Sequence, residues 1–121
     1  MSPRHPDQDP ASPSSRLSPV IVVQTTVADR DDANRLAAEL LDRSLIACAQ
    51  IEGPITSHYR WAGRLETATE FRLSLKSQLS AWSQLEAKLR SLHPYETPEV
   101  LMTQVGQASE DYHRWVIDQT S

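Results

Sequence analysis

The chain has 121 residues, 12 Lys and Arg against 16 Asp and Glu, a formal net charge of −4 and one cysteine, Cys48. This length is typical of one domain with its own core. The single cysteine excludes an intramolecular disulfide, the mild acidity argues against a nucleic-acid-binding protein, and no apolar run is long enough to span a membrane.

Residues 1–18 are rich in proline and serine and contain one leucine and no aromatic residue. Such a segment cannot bury enough apolar surface to offset the entropy lost on ordering, so we expect a disordered tail. The segment lacks the apolar stretch of a signal peptide, and its acidic residues are atypical of a transit peptide. We therefore expect the folded domain to occupy residues 19–121.

The first half of this domain predicts a strand, a helix and a second strand. β-Branched residues at 19–26 indicate a buried strand. Asp29 can cap the next element, in which apolar residues recur on one helix face: Ala33, Leu36, Ala37, Leu40 and Leu41. The second strand begins at Ile46 and continues to Trp61, with a bulge or kink at Gly53-Pro54.

The second half begins with a hairpin turn at Ala62-Gly63. The elements that follow are a return strand at residues 65–76, a helix at 79–92, a strand at 100–105 and a final helix opening at Ser109 or Asp111. The order β-α-β-β-α-β plus a C-terminal helix predicts an α+β, ferredoxin-like fold with an extended β2-β3 hairpin. In this fold the sheet is antiparallel and helices cover one face.

The predicted hairpin is too long for an isolated domain of this size. Its arms, residues 45–61 and 64–76, contain a dozen residues or more, whereas strands usually have roughly 5–6. The projecting end carries Tyr59 and Trp61. Long exposed edges invite pairing with another chain, so we expect the hairpins to pair between subunits of a closed oligomer. The alternative is a hairpin folded back on its own core at Gly53-Pro54.

The common catalytic and metal-binding signatures are absent from the sequence. Three glycines cannot build a phosphate-binding loop, and no paired cysteine or histidine spacing indicates a metal site. Cys48 is expected to be a buried, inert thiol, and His113 a surface residue. The segment from His93 to Glu99 is different, because two prolines four residues apart stiffen a loop that holds three titratable groups and a phenol. It indicates either a functional site or an ordinary turn after a helix.

Two stretches carry a specific resemblance: Tyr59-Arg-Trp-Ala-Gly-Arg-Leu-Glu66 and His93-Pro-Tyr-Glu-Thr-Pro-Glu99. In this order and spacing they make the chain similar to the CutA family of divalent-cation-tolerance proteins, over about residues 20–117. The resemblance implies a fold like that of PII signalling proteins, a tight homotrimer built by strand pairing, a cytoplasmic setting in bacteria, and an association with copper and other divalent ions.

The chain departs from the family pattern at two positions. Gln24 stands where some members have a cysteine, and Gln50 stands where asparagine is common. Without the thiolate, histidine and carboxylate ligands remain, and these suit Cu(II) or Zn(II) better than Cu(I).

From the resemblance we expect a ligand site in clefts between subunits, without an obligatory cofactor and without enzymatic activity. His93 would be the imidazole ligand of Cu(II) or another divalent cation, and Glu66 or Glu70 a carboxylate ligand. The other expected cleft residues are Tyr59 and Trp61 as an apolar wall, Lys76 as the partner of an acid, and Tyr95, Glu96 and Glu99.

Two alternatives stay open for the same residues. They can hold together a structural or signalling PII-like trimer that binds a small anionic metabolite without metal. They can also belong to a weak hydrolase or transferase that acts on an anionic substrate.

Overall fold

The computed structural model describes residues 17–121. Its elements in chain order are β1 (Val20–Val27), α1 (Arg30–Asp42), β2 (Cys48–Trp61), β3 (Arg64–Gln78), a 3₁₀ turn (Leu79–Ala81), α2 (Trp82–Leu92), β4 (Leu101–Gln104) and α3 (Glu110–Gln119). This order confirms the predicted α+β, ferredoxin-like arrangement. No helix in the described part of the chain combines the length and apolar character needed to cross a membrane.

Most of the predicted tail, residues 1–16, lies outside the described residues. Ser18 packs with the domain: its Oγ accepts a hydrogen bond from the Ser80 N–H (3.0 Å), and its carbonyl accepts one from His113 Nε2 (2.7 Å). His113 is 8% exposed. The expectation that His113 is a surface residue is therefore wrong, because α3 directs this side chain onto Ser18.

The four strands form one antiparallel sheet in the order β2-β3-β1-β4. One face packs against α1 and α2, and the buried core between them consists of Ile21, Val23, Val27, Ala33, Leu36, Leu40, Ile46, Leu73, Leu75, Leu85 and Leu89. The other face, which we call the open face, carries the alternate residues of each strand. Helix α3 covers part of it through Val116, which packs with Val20 and Ala47.

The first and third helices begin where the sequence predicts. The Asp29 side chain accepts a hydrogen bond from the Asp32 N–H at 2.8 Å and caps α1. Ser109 occupies the position before α3. The helix predicted at 79–92 begins instead with the 3₁₀ turn Leu79–Ala81, and the Leu79 N–H donates to the Pro19 carbonyl at 2.8 Å.

The hairpin projects beyond the sheet. Strands β2 and β3 contain 14 and 15 residues, and β1 pairs with β3 only from Phe71 to Gln78. Residues 64–70 of β3 therefore pair with β2 alone. The hairpin extends outward with Trp61 54% exposed, so the alternative of a hairpin folded back on its own core is wrong.

Both irregularities predicted in the hairpin are present. The β2-β3 register shifts between Glu52 and Ile55, which confirms the bulge. At the tip, Ala62 and Gly63 have φ of 51° and 78°, as a two-residue hairpin turn requires.

Candidate functional site

A cleft of about 580 Å³ lies where the projecting hairpin meets the loop that follows α2. It is lined by Thr26, Ser57, His58, Tyr59, Trp61, Glu70, Tyr95, Glu96, Thr97 and Glu99. The structure thus brings together six of the expected cleft residues: Tyr59, Trp61, Glu70, Tyr95, Glu96 and Glu99.

The hairpin supplies the aromatic side of the cleft and one buried acid. Tyr59 and Trp61 are two residues apart on β2, so strand periodicity places them on the same face. They are 45% and 54% exposed. Glu70, opposite Ile55 on β3, is only 8% exposed.

The loop supplies the remaining acids and is tied to the sheet by two hydrogen bonds. The Tyr95 hydroxyl donates to Glu70 Oε2 at 2.9 Å, and Gln24 Nε2 donates to Glu99 Oε2 at 3.0 Å. Burial, and then the hydrogen bond to Glu70, raises the pKa of Tyr95. The phenol therefore remains a donor at neutral pH and holds the loop against β3.

His93 lies beneath the cleft and fixes the start of the loop. It is 8% exposed, and its ring lies 4.9 Å from that of Tyr95. Its Nε2 is 2.9 Å from the Thr26 carbonyl and 3.0 Å from Thr25 Oγ1, while Nδ1 accepts a hydrogen bond from the Tyr95 N–H at 3.1 Å. Because the carbonyl can only accept, Nε2 carries the proton. Burial lowers the pKa of His93, which keeps the ring neutral.

This arrangement of hairpin, loop and sheet has counterparts among known proteins. The sequence model of the family described as CutA1 divalent ion tolerance protein matches residues 21–119. The chain belongs to the CutA1 family. The resemblance seen in its two motifs is thereby confirmed.

Relatives match over nearly their whole length. The divalent-cation tolerance protein CutA of Pyrococcus horikoshii is 34% identical over 101 residues, covering 84% of this chain and 98% of that protein. The Escherichia coli K12 protein of the same name is 40% identical over 96 residues, covering 79% and 86%. The crystal structure of CutA1 from Ehrlichia chaffeensis is similar at a TM-score of 0.83 and 32% identity, covering 86% and 97%.

The metal ligands expected from the CutA1 resemblance do not form a metal site within one chain. Both ring nitrogens of His93 are already hydrogen-bonded. Glu66 lies opposite Tyr59 on the projecting hairpin but does not line the cleft. Across residues 17–121, no three His, Cys, Asp or Glu side chains are placed to hold a metal ion. Within one chain His93, Glu66 and Glu70 therefore do not form a metal site, and the site expected between subunits stays a prediction.

Lys76 is not brought to the cleft either. It lies six residues beyond Glu70 on β3, roughly 20 Å along the strand, and its Nζ donates to Gln50 Oε1. Its neighbour across the ladder is Cys48, whose Sγ is 4.0 Å from the Tyr112 hydroxyl. Cys48 is half-buried, so the expectation of a buried thiol is wrong for one chain.

Four cleft residues were not expected from the CutA1 motifs alone: Thr26, Ser57, His58 and Thr97. Ser57 shares a strand face with Tyr59, and Thr97 lies inside the second motif, so both had a sequence signal. Thr26 had none, because only the pairing of β1 with β3 brings it to the cleft.

Proposed function

We propose that this CutA1 chain acts in divalent-cation tolerance as a cytoplasmic homotrimer. Its acidic cleft attracts cations, divalent ions among them, through the charge of its carboxylates, and it binds its ligand without catalysing a reaction. One observation carries the proposal. The cleft contains three carboxylates, of Glu70, Glu96 and Glu99, and no lysine or arginine among its lining residues.

This charge distribution favours a cation over the other ligands considered. A concave surface lined by one sign of charge raises the local concentration of the opposite ion. An anionic metabolite or an anionic substrate would be repelled, and Lys76, the residue that could have received it, lies elsewhere on β3.

The homotrimer is supported by the surfaces that a single chain leaves uncovered. Residues 64–70 of β3 have a strand partner on one side only. Outside the cleft, large apolar residues are exposed on the hairpin, β4 and α3: Leu65, Leu101, Tyr112 and Trp115. Free strand edges and exposed apolar side chains of this kind are covered by association.

The cytoplasmic setting is supported by cysteine chemistry. Cys48 is a free thiol with partial access to solvent, and such thiols persist where the environment is reducing. Cell fractionation followed by detection of the chain would test this placement.

Cation binding is tested by calorimetric titration of the full chain with Zn(II) and Cu(II). A chain carrying Glu96→Gln and Glu99→Gln should lose affinity by about tenfold or more, or about 1.4 kcal/mol, because two cleft charges are removed. The matched control carries Asp42→Asn and Glu86→Gln, which remove the same charge from α1 and α2. Equal affinity in both variants would overturn the proposal.

Copper titrations need the His5→Ala background, since a histidine near the N-terminus can bind Cu(II) by itself. In that background His93→Gln should leave Cu(II) affinity close to that of the parent, because both nitrogens of His93 are engaged. A loss confined to His93→Gln would support the imidazole ligand expected from the family resemblance in place of the carboxylates.

A further inference from the structure

Glu70 is a buried carboxylate without a basic partner among the described residues. The ion pairs of residues 17–121 lie elsewhere, at Arg35–Asp32, Arg43–Glu39, Arg72–Glu52 and Arg114–Glu110. Glu70 is 8% exposed and accepts a hydrogen bond from the neutral phenol of Tyr95. A buried charge is costly unless an opposite charge compensates it. The carboxylate of Glu70 therefore lines the cleft with one oxygen bonded to Tyr95 and with no basic residue paired to it among residues 17–121.

The surroundings of Glu70 add negative charge. Glu96 and Glu99 line the same cleft from the loop side. His58, the one lining residue with a basic side chain, is exposed and has its Nδ1 3.2 Å from Thr67 Oγ1. Arg64 lies opposite Trp61 at the hairpin tip and is not among the lining residues.

The dimensions of the cleft fit an organic molecule better than a bare ion. Sites for small molecules usually measure roughly 300–1,000 Å³, and this cleft has about 580 Å³. A divalent metal ion needs several ligand oxygens at about 2.0–2.6 Å from a single point. The described residues offer no such convergence of acidic, histidine or cysteine side chains.

Aromatic rings form the rest of the wall. Tyr59 and Trp61 stand exposed on one face of β2, and Tyr95 faces them from the loop. Aromatic faces attract ammonium and guanidinium groups through their π electrons and also cover the aliphatic part of such molecules. A metal ion makes no use of an apolar wall.

We propose that the natural ligand class of this cleft is a small organic cation with N–H donors and a short aliphatic body, such as an alkylammonium compound. The ammonium group is placed against Glu70 and the loop carboxylates, and the aliphatic part against Tyr59 and Trp61. The inference rests on the proposed function, because it concerns the same cation-binding cleft and names the class of ligand.

The test uses three probes of similar length on the full chain, measured by calorimetry at fixed ionic strength. These are 1,4-diaminobutane, the neutral 1,4-butanediol and the dianion succinate. Only the diamine should bind. Binding of the diol as tightly as the diamine would overturn the inference, since charge would then play no part.

Two variants locate the binding. Glu96→Gln changes an exposed loop residue and should weaken diamine binding by about tenfold or more. Asp42→Asn removes the same charge from the far side of the sheet, at the end of α1, and should leave binding unchanged. Equal losses in both variants would show a general effect of net charge and would overturn the inference.

Glu70→Gln gives a second, independent readout. The glutamine keeps an oxygen that accepts a hydrogen bond from Tyr95 and removes the charge of Glu70. Without ligand, the variant should therefore melt at the same temperature as the parent or higher. It should also bind the diamine more weakly than the parent. A lower melting temperature would show that the charge is already compensated, for example by a partner subunit, and would overturn the inference.

Failure of the inference and failure of the proposed function are distinguishable. Glutamate-dependent binding of Zn(II) or Cu(II) without binding of the diamine would overturn the organic ligand and leave the proposed function in place. Binding of neither would overturn both.

Discussion

At the scale of single residues, His93 has a structural role that follows from its two hydrogen bonds. Nε2 donates to the backbone of β1, and Nδ1 accepts from the N–H of Tyr95. The ring therefore joins the end of β1 to the loop that lines the cleft. Only the neutral ring can do this, because a protonated Nδ1 cannot accept a hydrogen bond.

This role predicts a pH dependence of stability. Burial lowers the pKa of folded His93 below its ordinary value of 6.5. The hydrogen bond to the Thr26 carbonyl and then the carboxylates of Asp32 and Glu70 oppose the shift, and Arg35 adds to it. Between the two pKa values the unfolded chain binds more protons, so stability rises with pH there. The contribution of neutral His93 to the free energy of unfolding is complete above about pH 6.5. It is lost as the pH falls toward the lowered pKa of the folded state. Urea unfolding at pH 7.5 and 5.5 should show this loss of stability. For one titrating group the free energy of unfolding changes by no more than about 1.4 kcal/mol per pH unit.

Two histidine variants separate this effect from other titrations. His93→Gln should reduce the loss of stability between the two pH values. His58→Gln, at an exposed site on β2, should retain the loss seen in the parent chain. The assignment to His93 is wrong if the two variants behave alike.

At the scale of elements, the bulge at Gly53 determines how the hairpin leaves the sheet. Gly53 has φ of +150°, and a Cβ at this position would lie 2.6 Å from Phe71 Cδ2 and 3.1 Å from the Glu70 carbonyl oxygen. Only a residue without a side chain allows β2 to approach β3 this closely. The bulge also lies beside Glu70, so it sets the position of the buried acid of the cleft.

Gly53→Ala should therefore destabilise the fold. Overpacking typically costs about 1–3 kcal/mol, and the positive φ adds strain for any residue with a Cβ. Gly106→Ala is the matched control, because a Cβ there meets nothing within 4 Å. Chemical denaturation should place the control within about 0.5 kcal/mol of the parent. A Gly53→Ala chain as stable as the control would show that β2 can move away from β3 at no cost.

At the scale of the whole molecule, exposed apolar side chains are distributed unevenly. Among the exposed large apolar residues on helices and strands, only Leu41 lies on α1 or α2. The remaining exposed large apolar residues lie on the hairpin, β4 and α3. Leu101 is 54% exposed and lies opposite Gln24 on the open face. The open face and the part of the hairpin outside the cleft are thus the surfaces on which we expect subunits to meet.

Light scattering at low protein concentration should give three times the 13.6 kDa mass of one chain. Leu101→Asp should shift the population toward lighter species, because a charge placed in an interface is costly to bury. Leu41→Asp, at a residue 44% exposed on α1, should leave the mass unchanged. A parent mass near 13.6 kDa would refute the trimer, and an equal effect of the two variants would refute the open face as the interface.

The sequence by itself determined the elements and their order, because these depend on local patterns. The apolar periodicity of α1, the Asp29 cap, the Gly53-Pro54 interruption and the Ala62-Gly63 turn are all short-range signals. The sequence also predicted which two segments supply most of the cleft, because both are dense motifs.

The tertiary structure alone decided which of those residues meet. Strand pairing and the Tyr95–Glu70 hydrogen bond bring the loop to the hairpin and leave Lys76 far along β3. His93, expected as a ligand, uses both nitrogens within the fold, and His113 is buried against Ser18. Such outcomes depend on contacts between residues distant in sequence, and no local pattern encodes them because burial and hydrogen-bond partners are set only when the chain folds.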